Sequence, residues 1–212
     1  VAKAKYGMVI DLERCIGCYS CAVGCKVENN VPMGMAWNRV LTRGGNQLDT
    51  AAGVFPKVEM EWLPLACQHC EDAPCVKVCP VGASYKAEDG RVLIDYDKCI
   101  GCRYCMAACP YGARSFNWSE PDRIPEHDTG DPDVKPRKRG VVEKCTLCEH
   151  RAAKGEEPFC VVSCPGRARI YGDLNDPNSE VSQLIARNYG FRFLEEKGTK
   201  PQVYYLPARR RK

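Results

Sequence analysis

The sequence predicts an α+β chain assembled from one short unit used four times, with two insertions and a C-terminal extension. Three observations carry this. All 16 cysteines of the 212 residues fall into four tight groups of four. Their surroundings recur: Asp11-Leu12-Glu13-Arg14-Cys15-Ile16-Gly17-Cys18 returns as Asp95-Tyr96-Asp97-Lys98-Cys99-Ile100-Gly101-Cys102. Likewise Cys79-Pro80-Val81-Gly82-Ala83 returns as Cys109-Pro110-Tyr111-Gly112-Ala113 and, more loosely, as Cys164-Pro165-Gly166-Arg167-Ala168. Short apolar runs, Met8-Val9-Ile10 and Val92-Leu93-Ile94, precede groups one and three and read as strands ending at the first cysteine.

Group one is Cys15, Cys18, Cys21 and Cys25. Residues 26–63 follow as an insertion, and partial alternation over Val54 to Trp62 gives it strand character. Group two is Cys67, Cys70, Cys75 and Cys79, and group three is Cys99, Cys102, Cys105 and Cys109, within a stretch bounded at 64–114. Small residues such as Ala107 and Ala108 after the third cysteine allow a short helix to pack closely. Residues 115–139, with Pro121, Pro125, Pro132 and Pro136, read as a surface loop, either a linker or a docking surface. Group four, Cys145, Cys148, Cys160 and Cys164, lies in 140–171 and is stretched by eleven residues between its second and third members. The extension, 172–212, carries one helical stretch, Ser179 to Asn188. Asp176-Pro177-Asn178-Ser179-Glu180 start it, and Val181, Leu184 and Ile185 share a face.

A formal charge of +4 is modest, and its one concentration, Arg209, Arg210, Arg211 and Lys212, reads as a solvated terminus more simply than as a lipid or RNA contact. No run approaches the roughly 18 to 20 apolar residues of a membrane span, so a soluble or peripheral chain is expected. Val1 to Tyr6 lead into no apolar signal core, although a signal removed before residue 1 would leave the same sequence. With 18 Gly and 15 Pro and few large apolar residues, the interior needs staples or cofactors.

Cysteines two residues apart suit a shared metal centre better than separate disulfides. Groups one and three read C-x2-C-x2-C-x3-C, the bacterial ferredoxin run, in which a loop with a thiolate every third residue wraps three irons of a cubane. Zinc competes at Cys67-x2-Cys70 and Cys145-x2-Cys148. The triple run, found twice, and Pro after the last cysteine of groups two, three and four favour four [4Fe-4S] clusters. Lys26, Lys77, Lys98, Arg103 and Lys144 are available to offset cluster charge, though each reads more simply as solvated surface. His69 and His150 stand beside cysteines but are not needed as ligands, and His127 carries no signal. No nucleophile elbow, phosphate-cradling loop or carboxylate cluster suggests catalysis, which leaves electron movement.

Over nearly its whole length the chain resembles the iron–sulfur subunits of the molybdopterin oxidoreductase (dimethyl sulfoxide reductase) superfamily. The order of the groups carries this, with Cys67-x2-Cys70-x4-Cys75-x3-Cys79-Pro80 and Cys145-x2-Cys148-x11-Cys160-x3-Cys164-Pro165. Gly172-Asp173-Leu174-Asn175-Asp176-Pro177 and Gly198-Thr199-Lys200-Pro201, leading to Tyr204-Tyr205-Leu206, resemble the polysulfide, thiosulfate, tetrathionate and arsenate reductase branches. The resemblance implies an electron-transfer subunit paired with a catalytic subunit that carries a molybdenum or tungsten bis-molybdopterin guanine dinucleotide, often with an integral membrane quinone-binding subunit. It also implies export with the catalytic subunit to the periplasm or the outer face of the cytoplasmic membrane.

Analogy with two-cluster ferredoxins, where each group lends its last cysteine to its partner, implies two pseudo-symmetric, ferredoxin-like two-cluster modules. One joins 1–25 to 140–171, with ligand sets Cys15, Cys18, Cys21, Cys164 and Cys145, Cys148, Cys160, Cys25. The other spans 64–114, with Cys67, Cys70, Cys75, Cys109 and Cys99, Cys102, Cys105, Cys79. Relatives in the nitrate reductase branch put Trp at the second position of group three and hold a three-iron centre there; Cys102 implies a complete cubane. Lys26 departs from the Pro that follows the other groups. A free polyferredoxin shuttle is the alternative function, and a zinc-bound nucleic-acid module fits least, because the basic residues form no aromatic-interleaved stripe.

Overall fold

A computed structural model describes residues 3–47, 49–121 and 130–208; His127 and the basic tail Arg209–Lys212 lie outside the described residues. In chain order, the elements up to group two are β1 (Tyr6–Asp11), α1 (Ser20–Glu28), β2 (Arg39–Arg43), β3 (Ala52–Val54), β4 (Lys57–Glu59) and β5 (Glu61–Leu65). Groups two and three bring α2 (Pro74–Lys77), β6 (Ser84–Lys86), β7 (Val92–Ile94), α3 (Tyr104–Ala107) and β8 (Ser115–Phe116). The remainder is β9 (Val142–Glu143), α4 (Glu149–Ala153), α5 (Phe159–Val162), β10 (Arg169–Asp173), α6 (Glu180–Arg187), β11 (Phe191–Arg192) and β12 (Val203–Leu206).

Strand pairing makes the distant contacts. β1 and β10 pair antiparallel with Ile10 opposite Arg169, so the segment entering group one lies against the segment leaving group four. β6 and β7 pair antiparallel with Ser84 opposite Ile94, joining the exit of group two to the entry of group three. The helices repeat the scheme, α1 packing on α5 and α2 on α3. β8 and β9 close the stretch 115–144 at its ends, and Asn117 and Val134 within it are buried. Two hairpin-like pairs, β2 with β5 and β3 with β4, build the insertion.

The C-terminal extension is part of the core. β12 runs parallel to β1, with Met8 opposite Val203, which gives a sheet in the order β10-β1-β12-β11. Val9 in this sheet is fully buried, and Val181, Leu184 and Ile185 of α6 pack on Val9, Ile170 and Leu206. Ser179 caps α6, its Oγ accepting from the Ser182 N–H at 3.3 Å, and so satisfies one of the free amides of the first turn.

The loops of groups one and three turn through left-handed backbone at Gly17 (φ 66°) and Gly101 (φ 68°), each followed by a second left-handed residue, Tyr19 or Arg103. Glycine is required twice over at these positions, for φ and for space. A Cβ on Gly17 would stand 2.2 Å from Nε1 of Trp62, and one on Gly101 would stand 2.3 Å from the Gly140 carbonyl oxygen. Gly101→Ala combines backbone strain with overpacking and should destabilise by on the order of 2–4 kcal/mol. Gly82→Ala, whose Cβ would meet nothing within 4 Å, carries the strain alone. In anaerobic thermal bleaching, Gly101→Ala should show the clearly lower midpoint; equal midpoints would contradict this account of the loop.

Candidate metal centres

Four cavities, each walled by four or more cysteines, lie within the chain. Cys15, Cys18, Cys21 and Cys164 line the first. Cys25, Cys145, Cys148 and Cys160 line the second, together with Cys67. Cys67, Cys70, Cys75 and Cys109 line the third, and Cys79, Cys99, Cys102 and Cys105 the fourth. None of the 16 cysteines is in a disulfide.

The cavities form a series because consecutive ones share a wall. Arg169 borders the first and second, Cys67 and Gln68 border the second and third, and Arg114 borders the third and fourth. The order is therefore group one, group four, group two, group three. Cys18 and Cys102 are exposed at the two ends, with Ile16 and Ile100 beside them, whereas the cysteines of the inner cavities are mostly buried.

Burial dominates the thiols of the inner cavities. It pushes Cys70 up to about 12 and Cys148 to about 11, neighbouring thiols adding to the shift, and it holds Cys25 and Cys145 well above the usual thiol range. Such groups ionise only against a bound cation, so loading the site releases protons. In the end cavities burial likewise raises Cys15 and Cys105, but two thiols go the other way. The Ser20 hydroxyl lowers Cys18, and at Cys79 backbone amides outweigh the opposing effect of burial.

The donor set fits iron–sulfur clusters. Each cavity offers sulfur ligands, and backbone amides already aim at several sulfurs: Ser84 N–H to Cys79 at 3.4 Å, Leu147 N–H to Cys145 at 3.4 Å and Ala168 N–H to Cys164 at 3.3 Å. The Asn29 amide stands 3.8 Å from both Cys25 and Cys148 Sγ. Two guanidiniums, Arg114 and Arg169, are buried against the cavities, and among the described residues neither meets a carboxylate. Buried cations of this kind need an anionic neighbour, which a thiolate-bound cluster provides.

The charged residues anticipated from sequence divide. Lys77 and Lys98 pair with Asp72 and Asp95 at the surface. Arg103 stacks over Trp118 at 4.4 Å, and Lys26 donates to the Pro32 and Met35 carbonyls. Lys144, expected at the surface, is fully buried, its ammonium held by the Val92 and Cys145 carbonyls. His69 is also fully buried and accepts from the Val92 N–H at 3.1 Å; burial, with Lys144, Arg91 and Arg114 nearby, keeps it neutral. His150 bonds Glu28 at 3.0 Å. Sequence reading missed Arg114 and Arg169, although the repeat comparison stopped one residue short of them: each stands five residues after the last cysteine of its group.

Four sulfur-lined cavities in series define a multicluster ferredoxin-type electron carrier. Residues 58–122 and 133–174 match the family model described as a 4Fe-4S dicluster domain. A Halobacterium salinarum protein provisionally named as a dimethyl sulfoxide reductase iron–sulfur subunit is 60% identical over 95% of this chain and 79% of its own length. A selenate reductase subunit of Mesobacillus selenatarsenatis is 46% identical over 94% of this chain and 70% of its own. A polysulfide reductase chain of Wolinella succinogenes is 38% identical over 97% and 96%. This protein belongs to the family of iron–sulfur subunits of these reductases; it carries four [4Fe-4S] clusters and serves electron transfer rather than catalysis. Among the described residues no helix is long and apolar enough to cross a membrane.

Because each cavity is closed by residues from distant segments, cluster binding energy is largely folding energy. Removing the clusters with chelator and oxidant should abolish hydrogen-exchange protection in β1, β10 and β12. Near-native protection in the apo-protein would contradict this.

Proposed function

We propose that the sixteen cysteines ligate in crossed sets. Cys15, Cys18, Cys21 and Cys164 hold one cluster, and Cys145, Cys148, Cys160 and Cys25 hold the next. Cys67, Cys70, Cys75 and Cys109 hold the third, and Cys99, Cys102, Cys105 and Cys79 the fourth. The supporting observation is that these same quartets line the four cavities. Two pseudo-symmetric modules follow, residues 1–25 with 140–171 and residues 64–114, a division supported by the paired strands β1/β10 and β6/β7 and the paired helices α1/α5 and α2/α3.

When bound, the clusters supply one-electron relay sites in a row. The chain's own residues fix that row, keep water from its middle through Trp37, Val92, Leu147 and Tyr205, and leave Cys18 and Cys102 open to partners. We assign one partner as a catalytic subunit with a molybdenum or tungsten molybdopterin cofactor, and the other as a quinone-linked membrane subunit or equivalent redox protein, at the outer face of the cytoplasmic membrane. Support comes from relatives named as subunits of selenate and polysulfide reductases and from a Nitratidesulfovibrio vulgaris relative named as the iron–sulfur cluster-binding subunit of a menaquinone reductase.

The group-one end faces the catalytic subunit and the group-three end faces the exit, as the resemblance to this superfamily implies. Cys102→Trp tests the assignment in the assembled complex. It should impair exchange with the quinone-side partner by tenfold or more, on the order of 1.4 kcal/mol of barrier. Dye-driven turnover entering at the catalytic subunit should be largely intact. Loss of dye-driven turnover with normal quinone-linked activity would reverse the direction.

A further inference from the structure

Arg114 and Arg169 occupy equivalent places in the repeat, five residues after Cys109 and after Cys164. The same position after groups one and two holds the neutral Asn30 and Ser84. Each proposed module therefore has one such cation for two clusters. Both side chains are almost completely buried, at 5% and 4% exposure, and each stands in the wall common to the two cavities of its module.

The two arginines are held by neutral groups. Arg169 Nη2 donates to Asn38 Oδ1 at 2.9 Å, and Asn38 in turn donates to the Cys21 carbonyl at 3.0 Å. Its Nη1 lies 3.9 Å from Cys160 Sγ and 3.6 Å from Met8 Sδ. Arg114 Nη1 donates to Ser84 Oγ at 2.9 Å, while Nη2 is buried without a hydrogen-bond partner among the described residues. The Cys75 and Cys105 thiols, one from each of its two cavities, face the Arg114 guanidinium. A buried guanidinium without a carboxylate is costly unless a negative charge stands close by. Among the described residues no carboxylate pairs with either guanidinium, and the groups facing them are cysteine thiols, whose cluster-bound form would supply that charge.

Resting on the ligand sets proposed above, we propose that Arg169 and Arg114 are shared counter-cations, each raising the reduction potentials of both clusters of its module. One-electron reduction adds a negative charge to a centre that four thiolates already leave anionic. A fixed positive charge beside it, in a poorly screened interior, stabilises the reduced form. Surface lysines such as Lys77 and Lys98, paired with aspartates and exposed to solvent, exert a much weaker field. Placing one cation between two centres moves both potentials together, so an electron passes within a module with little change in driving force.

The test is a redox titration followed by EPR on the assembled complex. In Arg169→Met, the group-one and group-four midpoints should fall by at least about tenfold in the oxidised-to-reduced ratio at fixed potential, ~59 mV for one electron, with the other two unmoved. Arg114→Met should do the converse, and Arg169→Lys and Arg114→Lys should restore most of each shift. Unchanged midpoints, or lysine variants that shift as methionine does, would overturn the proposal. In wild-type protein labelled with 15N-arginine, pulsed EPR of the reduced clusters should detect guanidinium nitrogen coupling; its absence would overturn the proposal without any variant. The ligand sets are checked separately. If Arg169→Met moves two signals that are not the pair altered by Cys164→Ser and Cys25→Ser, the counter-cation role stands and the ligand assignment falls.

Discussion

Antiparallel pairing of β1 with β10 carries the loop of Cys15, Cys18 and Cys21 to the turn of Cys164, and most other features follow from that meeting. A ligand loop of this length can wrap only part of a cubane, so the remaining sulfur has to come from a distant segment. Once β1 is pinned to β10, α1 is drawn onto α5, and Cys25 enters the cavity of Cys145, Cys148 and Cys160. The parallel strand β12 locks β1 from its other edge, which explains why a segment remote in sequence from every cysteine is as deeply buried as the ligand loops.

Charge is the second constraint, and it shapes the interior. Thiols buried without a cation favour the protonated form, as the raised Cys70 and Cys148 illustrate. With clusters in place the interior becomes anionic, and the sequence answers with Lys144, Arg114 and Arg169, none of them exposed. Amide donors to Cys79, Cys145 and Cys164 act in the same direction. The series of cavities is thus also an alternation of anionic sites with cations or with the Cys67–Gln68 bridge between them.

Much of this was legible in the residues. Spacing alone identified the groups, and the apolar runs before groups one and three became β1 and β7. The start signals at Asp176 to Glu180 located α6, because capping is a local property that needs no partner. What could not be read was set by long-range packing. β12 carries no motif that says it will pair with β1, and the stretch after Phe116 looks like a polar loop although Asn117 and Val134 are buried. Lys144 has the composition of a surface residue, and only the carbonyls of Val92 and Cys145 around its ammonium reveal otherwise. The arginines after groups three and four were within reach of the repeat comparison, but their burial between cavities depends on strand pairings that no local pattern encodes.

The central claim is a row of four cubanes with crossed ligands, and anomalous diffraction at the iron edge from anaerobic crystals of the complex tests it most directly. The account predicts four iron clusters in the order group one, group four, group two, group three, with Cys164 on the cluster of Cys15 and Cys25 on the cluster of Cys145. Iron bound by Cys15 and Cys25 together, or zinc in any of the four cavities, would contradict it.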